Sequence, residues 1–517
     1  MANVQLFKTI RGAFVPAAKA TNEAGGRAYA LAPEHALAQY AATGCLNGTY
    51  YANAQTQLDT LLALCAQVSP EAIAKTAVYC RERGYMKDVP ALLTAILAGK
   101  EPQLLAPVFG RVIDNGKMLR NFVQIMRSGA TGRKSLGTRP KKLVQQWLNT
   151  ASEKQLLAAA VGNAPSLADV VKMVHPKPGE AWREALFAWL IGKPVAEDAL
   201  PPILRAYQMY KRDPSLEVPD VPFQMLTALE LDRHDWAIIA RQAGWQMVRM
   251  NLNTFVRHGV FEVPGMAQAV AQKLADPQAI AKARVFPYQL LMAYKAAGDG
   301  VPHLVREALQ DAMELATANV PQFEGRVVVC PDVSGSMAAA VTGYRPGATS
   351  MVRCIDVAAL VAAAVVRQNR DARVLPFAVD VVDLALNPRD SVMSNAQQLA
   401  SIGGGGTNCA APLARLNRER ALADLVIYVS DNESWMGGPR QGATGTMQEW
   451  SAFKLRNPGA KLVCIDIAPY ATTQAVERED ILNVGGFSDE VFKIVAAFAA
   501  GQLNAGHWQS VIADTVL

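Results

Sequence analysis

Two rhythms of apolar positions divide the chain. Up to about residue 320 they recur at helical spacing: Leu58, Leu61, Leu62 and Cys65 fall at i, i+3, i+4 and i+7, the positions that share one helix face. Ser69 before Pro70 reads as the N-cap and first residue of a helix, where the N–H that proline lacks would have no partner anyway. Asp88 or Val89 with Pro90 starts another helix, which carries Leu92, Leu93, Ile96 and Leu97. KKLVQQWLN, EAWREALFAWLIG, PPILRAYQMYKR and VPHLVREALQDAMELATANV continue the pattern, with brief turns and almost no period-two alternation. Short amphipathic helices in a long row bury their faces by stacking on neighbours, which predicts an α-solenoid of irregular repeats. The alternative is a helical bundle, but one core of about 320 residues exceeds the size at which cores stop growing.

From Arg326 the rhythm changes. The apolar runs Val327 to Cys330, ARVLPFAV, ADLVIYVS and KLVCIDIA alternate with helical segments: Met351 to Gln368, SVMSNAQQLASI, CAAPLARLNRER, TMQEWSAFKLRN and a final SDEVFKIVAAFAAG. Strands that are apolar throughout are buried on both faces, so a parallel sheet with helices on either side is expected. The expected chain is multidomain, with α-helical repeats over 1–324 and a doubly wound α/β domain over 325–517.

Composition adds little to this, and charge adds more. Hydrophobic residues are 51% and charged residues 19% of the 517, without the polar bias of disorder. From Gly325 onward there are 16 Lys and Arg against 18 Asp and Glu, a net of −2; ahead of it stand 35 against 27, a net of +8. A polyanion is therefore the expected partner of the helical part. Cys45, Cys65, Cys80, Cys330, Cys354, Cys409 and Cys464 form no CxxC pair or zinc spacing and read as free thiols of a reducing compartment. Lys8 and Arg11 precede only the brief GAFVPAA patch, and the longest apolar run, Val357 to Val366, is too short to span a bilayer. A soluble, cytoplasmic protein is expected.

One stretch breaks the helical rhythm. MRSGATGRKSLGTRPKK, Met126 to Lys142, sets Arg127, Arg133, Lys134, Arg139, Lys141 and Lys142 among Gly, Ser and Thr without an acid. Small residues let a backbone approach phosphates, and hydroxyls, amides and basic heads donate to them. A solvated loop is the plain alternative; six basic residues in the basic part of the chain favour nucleic acid. VVKMVHPKP adds His175 and Lys177 beside two prolines, although a lone His is more often structural. In GWQMVRMNLNTFVRHG, the residues Trp245, Arg249, Asn251 and Asn253 either face a partner or cap the next repeat. Aromatic residues, 7% of the chain, form no stacking platform.

The α/β part carries a second candidate. In RVVVCPDVSGSM a strand ends in Asp332, Ser334 and Ser336; the GGGGTN loop supplies Thr407, and the strand LVIYVS ends at Asp431. Ligands in such folds bind at the carboxyl ends of the strands. Two carboxylates with neutral hydroxyls suit a hard divalent cation, Mg²⁺ above all, and leave it attractive to a further anion. Glu433 is the one obvious base, and the glycine loop lacks the lysine of GxxxxGK[ST]. No catalytic residue is assigned, and a non-enzymatic role is expected.

The DxSxS, Thr and Asp pattern resembles the metal-ion-dependent adhesion site of von Willebrand factor A domains at all five positions. That resemblance implies direct binding of the cation by Ser334 and Ser336, with Asp332, Thr407 and Asp431 acting directly or through water, and an open position for a partner's carboxylate or phosphate. A long helical-repeat region ahead of such a domain resembles the Ro autoantigen family, known for its TROVE module. LAQYAATGCLNGTYY is similar to the family's Gly-x-x-x-Gly-Thr-Tyr-Tyr segment, RERGYMKDVPALL to its Gly-Arg-Ala-x-Lys-x-x-Pro region, and GRKSLGTRPKKLVQQWL to its Lys-Ser-Leu-Gly stretch. LADVVKMVHPKP, RMNLNTF, FPYQLLMAY and PDVSGSM match as well, so the likeness runs from about Leu37 to the end.

The resemblance implies a ring of HEAT-like repeats closed by the A domain. It implies binding of non-coding RNA, with Y RNA on an outer basic surface and single-stranded 3′ ends of misfolded RNA in a central hole. It also implies a role in RNA quality control, with the exoribonuclease polynucleotide phosphorylase as a possible partner and neither membrane nor DNA. RNA contacts carry over to Arg133, Lys134, Lys141, Lys142, His175 and Lys177. Where animal members have Ser-His-Lys, this chain has Ser166, Leu167 and Ala168, so a basic contact is missing, and GYRPGATS is inserted beside the metal loop. The alternative function is a Mg²⁺-dependent scaffold whose A domain grips an acidic partner without RNA.

Overall fold

The computed structural model describes residues 15–283, 287–318, 320–344, 352–436, 442–504 and 506–517. The Lys8 and Arg11 segment, Phe286, the GYRPGATS insertion from residue 345 on, Met351 and residues 437–441 lie outside the described residues.

The helical part is built of short helices that pack on near neighbours in the chain, as solenoid stacking requires. Pro70–Glu82 packs on Asp88–Lys100 and Pro102–Val112, and Thr138–Thr150 on Pro102–Val112 and Leu167–Val174. Ser69 caps its helix by accepting the Ala72 N–H at 3.1 Å, with Pro70 as first helical residue. On Ala54–Gln67 the predicted stripe is only half hidden: Leu61 and Cys65 are buried, while Leu58 and Leu62 lie at its margin.

The α/β part holds a five-stranded parallel sheet. Two short strands, β1 (Ala20–Thr21) and β2 (Arg27–Ala30), precede it in the chain; the sheet itself contains β3 (Val327–Pro331), β4 (Arg373–Val374), β5 (Leu425–Ser430), β6 (Lys461–Asp466) and β8 (Ile481–Gly485), with β7 (Thr472–Thr473) outside it. The order is β4-β3-β5-β6-β8. Alternate β3 residues face opposite layers, Val327 and Val329 joining the core around the helix Cys354–Gln368, Val328 and Cys330 the core around Met447, Trp450 and Phe453. The first of these cores runs without a break into the helical array. ARVLPFAV forms a ladder only at Arg373–Val374; Pro376 has no N–H to give, and beyond it only Phe377 still bonds Pro331. Val357 to Val366 lies in a buried helix, and no helix among the described residues is long and apolar enough to cross a membrane.

The array starts and ends on the α/β domain. At its beginning β1 and β2 form a hairpin, and β2 pairs antiparallel with β7, Tyr29 opposite Thr473. The helix Pro33–Thr43 follows and packs on β8, where Gln39 donates to the Ala468 carbonyl at 2.9 Å. The split expected between residues 324 and 325 thus does not describe this N-terminal stretch, which is built into the edge of the second domain. At the other end Pro287–Ala296 and His303–Thr317 pack on Cys354–Gln368 and Val392–Ala400, with the ion pairs Lys295–Asp356 at 2.8 Å and Arg367–Glu314 at 3.0 Å. A last helix, His507–Ala513, packs on Pro70–Glu82 and places the Trp508 indole N–H 3.1 Å from the Tyr79 hydroxyl.

Candidate metal centre and nucleic-acid interface

Parallel pairing of β3 with β5, Pro331 beside Val429, delivers Asp332 and Asp431 to the same edge of the sheet. The glycine loop is strapped onto the metal loop by Gly335 N–H to Gly405 O and Gly404 N–H to Val333 O, both 2.9 Å. Gly403, Gly404 and Gly405 all have positive φ, at 36°, 122° and 85°, a run that only glycine adopts at little cost. Thr407 then donates to Ser334 Oγ at 2.9 Å, and Ser334 Oγ lies 3.4 Å from Ser336 Oγ. Ser430 Oγ donates to Asp332 at 2.6 Å, and the Ser334 N–H to the other Asp332 oxygen at 2.8 Å. All five residues named from the sequence are brought together.

They are also deeply buried: Asp332 is 0%, Ser334 1%, Ser336 4%, Thr407 1% and Asp431 3% exposed. Burial first, and then the neighbouring Asp431 charge, push the Asp332 carboxyl up to about 7; burial raises Asp431 as well. Two like charges in a dry site are unfavourable without a compensating positive charge, and a divalent ion supplies one. Two carboxylates and three hydroxyls are the donor chemistry that such an ion takes, so the residues fit it.

Glu433, the candidate base, is fully buried, and its Oε2 accepts the Ala24 N–H at 3.0 Å. Burial first, and then the Asp431 charge, push its carboxyl up to about 9 while no cation offsets that charge. The sequence reading missed the buried neighbours Asn432 and Asp466, joined at 2.7 Å, and Tyr51, whose hydroxyl is pushed up by burial first and then by the Asp431 charge. The quoted GTYY segment was the available signal for Tyr51.

The basic candidates occupy one surface. Gly129, Gly132 and Gly137, at φ 89°, 76° and 73°, shape the loop ahead of the helix Thr138–Thr150, whose first turn carries Arg139 and Lys141, with Lys142 directly after it. From that helix Gln145 donates to the Val174 carbonyl at 2.6 Å and Asn149 to the Lys177 carbonyl at 3.3 Å, which fixes the HPKP turn beside it. Lys134, Arg139, Lys142, His175 and Lys177 are exposed there and Lys141 is half-buried. Arg127 is exposed on the preceding helix, within electrostatic reach of Asp169. Arg133 is different: it donates to the Ala98 carbonyl at 2.9 Å, and a Cβ on Gly137 would meet its guanidinium. Its head supports the loop.

At the departure from the animal pattern, Ser166 and Asp169 form a capping box and Leu167 is buried. Trp245, Asn251 and Asn253 cap helix ends, donating to Leu274 O at 2.9 Å, Met247 O at 2.8 Å and Ala296 O at 2.7 Å, while Arg249 donates to Gln289 O in the first turn of Pro287–Ala296 at 2.8 Å.

Residues 326–499 match the family model of the Ro60 vWA domain. The curated RNA-binding protein RO60 of Deinococcus radiodurans is 27% identical over 524 residues, which cover 93% of this chain and 95% of that protein. The crystal structure of the Ro protein of Deinococcus radiodurans aligns with a TM-score of 0.59 at 22% identity, over 91% of this chain and all of the other, a likeness of fold. A helical array that starts and ends on an A domain of the Ro60 type is thus joined by similarity to a Ro protein along nearly the whole length of the chain.

Proposed function

We propose that this chain is a non-enzymatic RNA-binding protein of the Ro type. The observation that carries the reading is the joined basic surface, in which the helix Thr138–Thr150 holds the loop of Lys134 and the turn of His175 and Lys177 together. That helix carries Arg139 and Lys141 and no acid in its first turn, with Lys142 directly after it, although the positive end of the macrodipole disfavours cations there. Such a charge arrangement is unfavourable in the free protein and is relieved by an anion. In the proposal Y-like non-coding RNA lies on this outer surface through Arg127, Lys134, Arg139, Lys141, Lys142, His175 and Lys177, and single-stranded ends of misfolded RNA enter the space enclosed by the array. The A domain holds Mg²⁺ through Asp332, Ser334, Ser336, Thr407 and Asp431. RNA quality control in the cytoplasm, with an exoribonuclease of the polynucleotide phosphorylase kind as partner, is the role that follows.

A salt titration tests the RNA reading. With a structured RNA bearing a single-stranded 3′ tail, one phosphate for each of the six Lys and Arg residues named gives a log–log slope of about −4, at about −0.7 each. Replacing Lys134, Arg139 and Lys142 with Ala removes three contacts and flattens the slope by about 2. An affinity indifferent to salt rejects the proposal, and RNA cleavage that stops on Asp332→Ala rejects its non-enzymatic part.

A further inference from the structure

Among the described residues the first element of the chain, the β1–β2 hairpin, reaches the metal edge directly. Its turn, Asn22–Gly26, is closed by the Asn22 N–H on Gly26 O at 2.8 Å and by the Gly26 N–H on Asn22 Oδ1 at 2.6 Å. It lies against residues 432–436, which continue straight from the ligand Asp431. Asn22, 5% exposed, donates from Nδ2 to Ser434 O at 2.9 Å, and the Ala24 N–H to Glu433 Oε2 at 3.0 Å. Gln474, next to β7, bridges the two pieces, its Nε2 3.2 Å from Arg27 O and 3.3 Å from Asn432 O. The backbones almost touch: a Cβ on Gly26 would run into Ser434 O and stand 2.9 Å from Trp435 Cα.

The same segment also holds two of the five ligands. The Glu433 N–H donates to Asp431 Oδ1 at 3.2 Å. The Trp435 and Met436 N–H groups donate to the Thr407 carbonyl at 3.2 Å and 3.0 Å, and the Ser434 hydroxyl donates to it at 3.4 Å while accepting the Cys409 N–H at 3.1 Å. Hydrogen bonds and main chain therefore run without a gap from the hairpin turn to Asp431 and Thr407.

We infer that the β1–β2 hairpin braces the metal edge, with Asn22, Ala24 and Gly26 positioning residues 432–436 and, through them, the Asp431 and Thr407 ligands. This rests on the metal site proposed above. A small hard cation such as Mg²⁺ demands near-ideal ligand geometry, so groups that fix its ligands in place set its affinity. By linkage, the bound cation holds the hairpin turn as strongly as the turn helps the cation. Because β2 runs on into the helix Pro33–Thr43, occupancy of the site is felt where the helical array begins.

The test is Mg²⁺ titration calorimetry on the intact chain, with thermal unfolding in EDTA to read stability separately. Gly26→Ala, which forces the turn off Ser434, is expected to weaken Mg²⁺ by about tenfold or more. Asn22→Ala, which removes one hydrogen bond, is expected to weaken it by about threefold to tenfold. Thr21→Ala, exposed on β1, is the control and leaves the affinity unchanged. In the wild type, saturating Mg²⁺ should slow amide exchange at Ala24 and Gly26 by about threefold or more, and Asp431→Ala should abolish that protection. Asn22→Ala and Gly26→Ala that unfold at lower temperature but bind Mg²⁺ with wild-type affinity overturn the brace and leave the metal site standing. Wild-type Mg²⁺ binding with unchanged exchange at Ala24 and Gly26 does the same without relying on any variant. No Mg²⁺ binding by the wild type overturns the metal site, and the brace with it.

Discussion

Asp332 and Asp431 are buried close together, so each makes the other costlier to ionise, and the free protein is strained by the groups that suit it to a cation. Asp431→Asn should accordingly make the metal-free protein more stable by about 1 kcal/mol, the reverse of most buried substitutions, while weakening Mg²⁺ by tenfold or more. Thermal unfolding in EDTA and in Mg²⁺ reads both effects, and RNA affinity should not move. All five positions of this site were legible because each stands at a strand end or in a glycine loop at characteristic spacing. The fate of Glu433 was not, since the amide that holds it, Ala24, is 409 residues away in the chain. His35 is another residue whose role only the fold reveals. Burial pushes its imidazole down to about 4, against a hydrogen bond to the Asn483 backbone that raises it. It therefore stays neutral in the fold while the unfolded chain takes up a proton below about 6.5. Stability from this group is present above that pH and is lost as pH falls towards 4, by up to about 3 kcal/mol. Nearby Glu477, raised by burial to about 7, works in the opposite sense, so the comparison has to be made against a variant. The stability difference between wild type and His35→Gln should shift in the variant's favour by about 3 kcal/mol from pH 7 to pH 4, as measured by urea unfolding; parallel pH curves would refute the assignment.

At the level of elements, the helix Thr138–Thr150 sets stability against function. Arg139 lies in its first turn, exposed to solvent, where the macrodipole penalises a cation. Arg139→Ala should raise unfolding free energy by about 0.3–1 kcal/mol and at the same time weaken RNA. A loss of both would show that the arginine has a structural partner instead. Gly137→Ala, at φ 73° and against the Arg133 guanidinium, should disorder the loop and weaken RNA without removing any charge. Elements with long periodicity or a strong cap were readable in advance, as the Ser69–Pro70 start shows. Two others were not. ILNVG, which forms β8, is five residues without alternation, and Gly485 is needed because Gln39 from the distant Pro33–Thr43 helix crosses it closely. The β1–β2 hairpin is as obscure, since β2 finds its partner β7 only across the whole chain.

Across the whole molecule, closure depends on a few polar contacts over a continuous apolar core. The clearest lies where the array returns to the A domain. Asp356, 2% exposed by side chain, pairs with Lys295 of the array at 2.8 Å and with Arg353 of its own helix at 2.9 Å. Burial works against its charge, but hydrogen bonds from Arg353 and Lys295 outweigh that and hold its carboxyl below the usual range. Removing the acid leaves Lys295 facing the seam without its counter-charge, and breaking a buried pair in this way costs about 3–5 kcal/mol where burial is complete. Because Lys295 keeps partial access to water, Asp356→Ala should cost somewhat less, about 2–4 kcal/mol. The exposed pair Arg326–Asp424, 3.6 Å apart within the A domain, is the matched control, and Arg326→Ala should stay within about 0.5 kcal/mol. If the circuit of contacts is one cooperative unit, wild type unfolds in urea in a single step. Asp356→Ala should then separate into two, with the radius of gyration rising in the first as the array swings off the A domain. A variant that loses less than about 0.5 kcal/mol and still unfolds in one step would place the strength of the closure in the apolar core and in the N-terminal seam of Gln39 and the hairpin.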